Sequence, residues 1–306
     1  MVLTLHDLRY TLYEYMIQFL HYWKIYLTVS LTVIVFGLVS IWQWGYVYSI
    51  DFIGGTNLEY QFDPPINQDA LTRAVEKENI EIVQIEKRSE SSYFLRLHVI
   101  DEQKELNLRT KLENKLQTNI EVLRSETVGP VIGEETLRKT GIAAAIAVVG
   151  ILLYVAYAFR NFNFALAAIV ALFHDVLVVV GMYSVISHFF GAELDTLFVT
   201  ALLTTMSFSV HDTIVVFDQI RDYRKRFGVG NIEEYANKAL TDTMVRSLNN
   251  SFTIVFMLLA LVLLGGTTIK FFAATLLIGT ITGTYSSPFV ATPIAVWLEK
   301  RKKHTT

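Results

Sequence analysis

The chain has 306 residues, of which 52% are apolar and 18% charged, with a formal net charge of −3 and no cysteine. Soluble chains carry about 25% charge, so a soluble domain is disfavoured, and the missing thiols exclude disulfides, iron–sulfur clusters and thiolate catalysis. The seven histidines show no metal-ligand spacing, and no nucleophile triad or phosphate loop appears; no metal, cofactor, nucleic-acid partner or enzymatic activity is expected.

About 20 mainly apolar residues carry a helix across a hydrocarbon core of about 30 Å. The first such run, Ile25–Tyr46, is too long for a signal-peptide core and is followed by no cleavage site, so it reads as a retained anchor. The next segment, Val47–Lys139, is charged and changes its hydrophobic period in an ordered way. Asn57–Phe62 alternates as a strand, Asp63-Pro64-Pro65 breaks it, and Asn67–Glu78 is helical with Asn67 as N-cap. Strands at Glu81–Glu86 and Ser92–His98 follow, with Tyr93 and Phe94 as core. A helix over Asp101–Leu116 carries an apolar stripe of Leu106, Leu108, Leu112 and Leu116, and Ile120–Thr127 closes as a strand. The order β-α-β-β-α-β predicts a small α+β ferredoxin-like domain. Five further apolar runs complete the chain: Gly141–Phe159, Phe164–Phe190, Thr196–Phe217, Ser247–Thr268 and Phe271–Leu298.

Lys and Arg flank the ends that face the cytoplasm. Arg9, Lys24, Arg160, the cluster Arg221 to Arg246 and the tail Lys300 to Lys303 fall on one side, whereas Ser187–Asp195 carries neither. The expected architecture is therefore an α-helical integral membrane protein with six transmembrane helices and a ferredoxin-like extracytoplasmic domain. Its divisions are a cytoplasmic N-terminus and first helix (1–46), the outer domain (47–139), a five-helix bundle (140–298) with a cytoplasmic loop at 218–246, and a basic cytoplasmic tail (299–306).

An Asp or Arg at mid-bilayer costs about 2.5–3.5 kcal/mol on insertion scales, so such residues mark function by default. Three stand out, Asp175, Asp212 and Arg246, with His174 and His211 just before the aspartates. Thr205, Ser209, Asp212 and Gln219 share one stripe of the fourth helix; Arg246, Asn249, Asn250 and Thr253 share one on the fifth. The two stripes are expected to meet, with Asp212 and Arg246 as a charged pair whose titrating member is the carboxylate. A second reading stays open: Asp212 and Arg246 sit near helix ends, from which long polar side chains reach the interface. Asp175 faces Ala168 and Ala171, which fits a structural hydrogen bond as well as a relay, and both histidines fit ordinary donors as well as shuttles. Gly54 and Gly55 suit a positive-φ turn that acts as a hinge, Gly279 and Gly283 a close helix approach, and Pro288 and Pro293 a kink.

Several stretches resemble the SecF family, the smaller partners of SecD within the resistance-nodulation-division superfamily. They are Asp51-Phe52-Ile53-Gly54-Gly55, Val128-Gly129-Pro130 with Gly133, Ala171-Leu172-Phe173-His174-Asp175-Val176, His211 through Arg221, and Gly283-Thr284-Tyr285-Ser286-Ser287. The resemblance implies a SecD subunit, contact with the SecYEG channel, and proton-driven export of unfolded polypeptide across a bacterial inner membrane. It also implies that Asp212 and Arg246 belong to the proton path. His211 stands where the family usually has Asn and Gln219 where it has Arg; Ile53 and Asn250 each replace a Thr. The rival expectations are a small-molecule exporter of the same superfamily, which would need a second six-helix half, and a non-conducting scaffold of the channel.

Overall fold

The computed structural model describes residues 17–303 apart from 79, 160 and 229, so Arg9 and Arg160 lie outside the described residues. In chain order the elements are α1 (Trp23–Trp44), β1 (Gly55–Asp63), α2 (Gln68–Glu76), β2 (Ile82–Lys87), β3 (Ser92–Leu97), α3 (Glu102–Leu116) and β4 (Asn119–Val128). Then come α4 (Pro130–Ala158), α5 (Phe162–Phe190), α6 (Thr196–Phe227), α7 (Ile232–Leu264), α8 (Thr267–Ser286), a π-helical turn (Ser287–Ala291) and α9 (Thr292–Lys303). Among the described residues, five helices are long and apolar enough to cross a membrane: the stretch Phe19–Trp44 containing α1, and α4 to α7. The last apolar run is interrupted at Pro288, where the helix widens into the π turn.

Contacts divide the chain into two units, one comprising Tyr48–Ala143 with Glu193–Thr196, the other the rest. The first unit is a four-stranded antiparallel sheet in the order β2-β3-β1-β4. Alternation along β1 and β3 sends Leu58, Tyr60, Phe62, Tyr93, Leu95 and Leu97 into one core with Leu71, Ala74 and Val75 of α2 and Leu108 and Leu112 of α3. Burying each large side chain contributes about 1.5–3 kcal/mol. Asn67 caps α2 by accepting from the Asp69 N–H at 3.0 Å, and Asp101 caps α3 through the Lys104 N–H at 2.8 Å. Leu106, expected in the apolar stripe, is instead 43% exposed. It lies two residues from Leu108, about 200° around the helix, so the two cannot share a face.

Gly54 has φ +75°, and a β-carbon there would lie 2.9 Å from the Pro130 Cα; one on Gly133 would lie 2.8 Å from the Gly54 nitrogen. The two glycine motifs thus form one close contact between the start of β1 and the first turn of α4, which Pro130 opens without losing a helical bond.

In the helical unit, α1 and α5 meet backbone to backbone. A β-carbon on Gly181 would stand 2.6 Å from the Gly37 Cα, and Ser40 and Ser184 hydrogen-bond alongside at 3.0 Å. The segment expected as a cytoplasmic loop, 218–246, is almost wholly helical: α6 runs on to Phe227 and α7 starts at Ile232, capped by Asn231. These extensions carry too much charge for a hydropathy window, yet they pack on each other, with Tyr223 donating to Asp242.

Candidate functional site

Among the described residues, the most buried carboxylate in the helical unit is Asp175 of α5, 4% exposed. Its Oδ2 accepts from two hydroxyls, Ser209 of α6 in a short bond and Ser286 of α8 at 2.7 Å. Its Oδ1 lies 2.8 Å from His174 Nδ1. One carboxyl group therefore ties together three helices.

The local sequence explains how they come so close. Ala167, Ala168 and Ala171 keep the buried face of α5 slim. On α8, a β-carbon at Gly279 would collide with Thr205, and one at Gly283 would lie 3.1 Å from the Ser209 Cα. The glycine step thus rests directly on α6 at the turn carrying Ser209, and one turn later Ser286 reaches the same carboxylate oxygen. Thr213 continues the contact by sharing a hydrogen bond with Ser287 at 2.8 Å in the π turn.

His174 is 7% exposed, and its Nε2 has no hydrogen-bond partner. With Nδ1 donating to the carboxylate, a neutral imidazole leaves Nε2 as a buried bare acceptor, a costly arrangement that an incoming proton or water would relieve. The Tyr285 ring stacks beside the imidazole at 6.4 Å, its hydroxyl fixed on the Tyr26 carbonyl at 2.8 Å.

Asp212 sits one turn beyond Ser209, half-buried, and accepts from Ser247 of α7 at 2.9 Å. The expected charged pair with Arg246 is not formed: among the described residues no ion pair within 4.0 Å joins them, although the fields of Arg246 and His211 reach the carboxylate. Arg246, Asn249, Asn250 and Thr253 lie exposed, and α7 turns Ser247, Ser251 and Leu258 toward its neighbours instead, with Ser251 bonded to Thr284 at 2.6 Å. The expected stripe is thus displaced by one residue, about 100° of rotation. Thr205 and Ser209 face α8 rather than α7, and Gln219 hydrogen-bonds the hydroxyl of Tyr223. His211 is exposed.

Asp51 accepts from Thr196 at 3.3 Å. The roles of Ser247, Ser286 and Thr213 are missed by sequence reasoning because hydroxyls barely alter hydropathy. Ser286 stands in the Gly283–Ser287 motif, but nothing in that stretch indicates which acceptor it meets.

The sequence pattern of the SecD/SecF protein export membrane protein C-terminal region matches residues 108–301, and that of the SecD/SecF GG motif matches residues 47–66. The protein translocase subunit SecF of Thermobaculum terrenum is 40% identical over 289 residues, covering 89% of this chain and 90% of that protein. That of Anaerolinea thermophila is 35% identical over 284 residues, covering 89% and 91%. The crystal structure of SecDF from Thermus thermophilus superposes with a TM-score of 0.82 at 32% identity, covering 94% of this chain and 39% of that one.

Proposed function

This chain belongs to the SecD/SecF family of protein export membrane proteins and is a multi-pass accessory subunit of Sec protein export, and from that premise we propose that His174 and Asp175 form its buried proton-accepting centre. The observation that carries the reading is the single Asp175 carboxylate holding α5, α6 and α8 through Ser209 and Ser286 while His174 Nε2 stays bare. A proton reaching Nε2 converts the pair to imidazolium and carboxylate. Passed along that hydrogen bond to Oδ1, it neutralises the carboxylate, so the charge-assisted bonds that Ser209 and Ser286 make to Oδ2 weaken and the three-helix junction is free to repack. A charge crossing the field contributes about 2.3 kcal/mol per 100 mV, enough to bias a two-state rearrangement severalfold. Asp212, half-buried one turn from Ser209, is the second acid of this path, with Ser247 as its hydrogen-bond partner and Arg246 and His211 nearby. No covalent chemistry is involved, and the chain acts as a transporter subunit rather than an enzyme.

The partner is a SecD subunit, and two observations favour it. The Thermus SecDF is a longer chain, of which this one covers 35%. The exposed stripe of Arg246, Asn249, Asn250 and Thr253 on α7 is also too polar to face lipid, and a neighbouring helix would satisfy it. The broken run α8, π turn and α9 makes the sixth span. The sheet order β2-β3-β1-β4 with two helices on one face fits the ferredoxin-like arrangement and suits an extracytoplasmic domain. Lys24, Arg221, Arg224, Lys225, Lys238 and Lys300 then mark the cytoplasmic face of a bacterial inner membrane. Unfolded polypeptide leaving SecYEG is the load.

The test is co-reconstitution with a SecD-type partner and SecYEG in vesicles, measuring proton uptake and export together. Asp175→Asn and Asp212→Asn should each abolish gradient-driven export and suppress proton uptake. Full export by both variants would leave only a non-conducting scaffold.

A further inference from the structure

The sheet of the outer unit holds a charge network that the proton-accepting centre does not use. Arg96 of β3 is 2% exposed. It donates to the Tyr48 carbonyl at 3.2 Å and to Asn57 Oδ1 at 3.4 Å, and its Nη2 makes a close ion pair with Glu193. Glu193 belongs to the short segment that immediately precedes α6. Its carboxylate also lies in the fields of Arg88, just past the end of β2, and of Arg124 on β4, so three arginines of the sheet and its turn converge on one acid. The same segment is held twice more: the Ser49 N–H donates to the Leu194 carbonyl at 3.1 Å, and Thr196 donates to Asp51 at 3.3 Å. Removing an arginine from water is expensive unless it is paired and further hydrogen-bonded. Here it is both, at a site where an apolar residue would serve packing more cheaply.

We propose that Arg96 and Glu193 are positioning residues that latch the segment leading into α6 to the sheet, so that movement of α6 about Ser209 and Asp212 is delivered to the outer unit. The idea rests on the proton-driven reading above. A loop that only closed the chain between two helices would need no buried guanidinium; a loop that transmits force needs an anchor stronger than backbone contacts. The fork of Arg96 supplies one, with separate nitrogens on Asn57, Tyr48 and Glu193, and the bonds of Ser49 and Asp51 keep the segment from pivoting about it. Lysine, with one compact charge, could engage Glu193 but not all three acceptors at once.

The experiment uses the full chain with its partner and SecYEG in vesicles, reading proton uptake and export for Glu193→Gln, Arg96→Gln, Arg96→Lys, Arg96→Glu, Glu193→Arg and the exchange that combines the last two. Glu193→Gln keeps the shape and should fold, as judged by co-purification with the partner. The latch predicts that this variant takes up protons within about twofold of the unsubstituted chain while export falls about fivefold or more, a coupling loss in the usual range. Arg96→Lys should restore part of the export lost in Arg96→Gln. The exchange, should it fold, should export better than either of its single changes. Normal export by Glu193→Gln, or equal loss of uptake and export, would overturn the latch. Absence of proton uptake by the unsubstituted chain would instead overturn the proton-driven reading itself.

Discussion

Replacing Asp175 in two ways separates its structural duty from its proposed protonic one. In Asp175→Ala three groups lose their acceptor: the hydroxyls of Ser209 and Ser286 and the Nδ1–H of His174. Ser286 has a fallback, since its hydroxyl also lies 3.3 Å from the Gly283 carbonyl. The other two are orphaned at about 1–3 kcal/mol each, or about 2–6 kcal/mol together, before any gain from removing a buried charge. Asparagine has the same size. Its carbonyl can accept from both serines, and its amide can donate to Nδ1 once the imidazole takes the other tautomer. One imidazole nitrogen remains unpartnered in either case, so Asp175→Asn should cost no more than about 1 kcal/mol. Thermal unfolding of the detergent-purified complex should therefore rank the alanine variant well below the asparagine variant and place the latter beside the unsubstituted chain. Proton uptake should be lost in both. The reasoning is refuted by an asparagine variant that is stable and still takes up protons at the normal rate, or by an alanine variant as stable as the asparagine one.

Further expectations follow from contacts elsewhere in the chain. Gly181→Val places its β-carbon against the Gly37 backbone, forcing α1 and α5 apart and stretching the Ser40–Ser184 bond; it should destabilise by about 1–3 kcal/mol, seen as a lowered midpoint in thermal unfolding. Ser247→Ala removes the hydrogen bond to Asp212, whereas Arg246→Ala breaks no ion pair among the described residues; the first should leave partner binding intact, while the second should weaken SecD co-purification. Lys111 bonds Glu78 at 2.6 Å and holds its carboxyl below the usual glutamate range. A carboxylate depressed on folding lends stability that is present above its unfolded pKa and lost as pH falls through the folded value. Lys111→Gln should therefore flatten the acid side of the stability profile, and an unchanged profile would remove that pair from the account.

The elements of the sheet-bearing unit were legible because its signals are local. Asn67 and Asp101 announce their caps, and the alternation of Leu58, Tyr60 and Phe62 selects one sheet face. Leu106 misleads because composition alone cannot tell which leucine of a run turns inward. In the membrane segments the difficulty is rotation. The outside of a bundle is apolar as well, so hydropathy does not orient α7, and the serine at 247 rather than the arginine at 246 meets Asp212. The π turn adds a phase shift after Ser286 that a uniform 3.6-residue period does not contain. Length and charge mark where α6 enters the apolar layer, but only packing reveals that it continues as helix to Phe227. Asp175 was visible as an acid where none is cheap; its three-helix role depends on Ser209 and Ser286, hydroxyls set 34 and 111 residues away in the chain.

Infrared difference spectroscopy on the reconstituted complex, recorded as a proton gradient is imposed, reads the protonation of buried carboxyl groups directly. The buried-centre account predicts a protonated-carboxyl band that appears with the gradient, loses its Asp175 component in Asp175→Asn and keeps its full intensity in Asp51→Asn. A gradient-induced band of undiminished intensity in Asp175→Asn would contradict it.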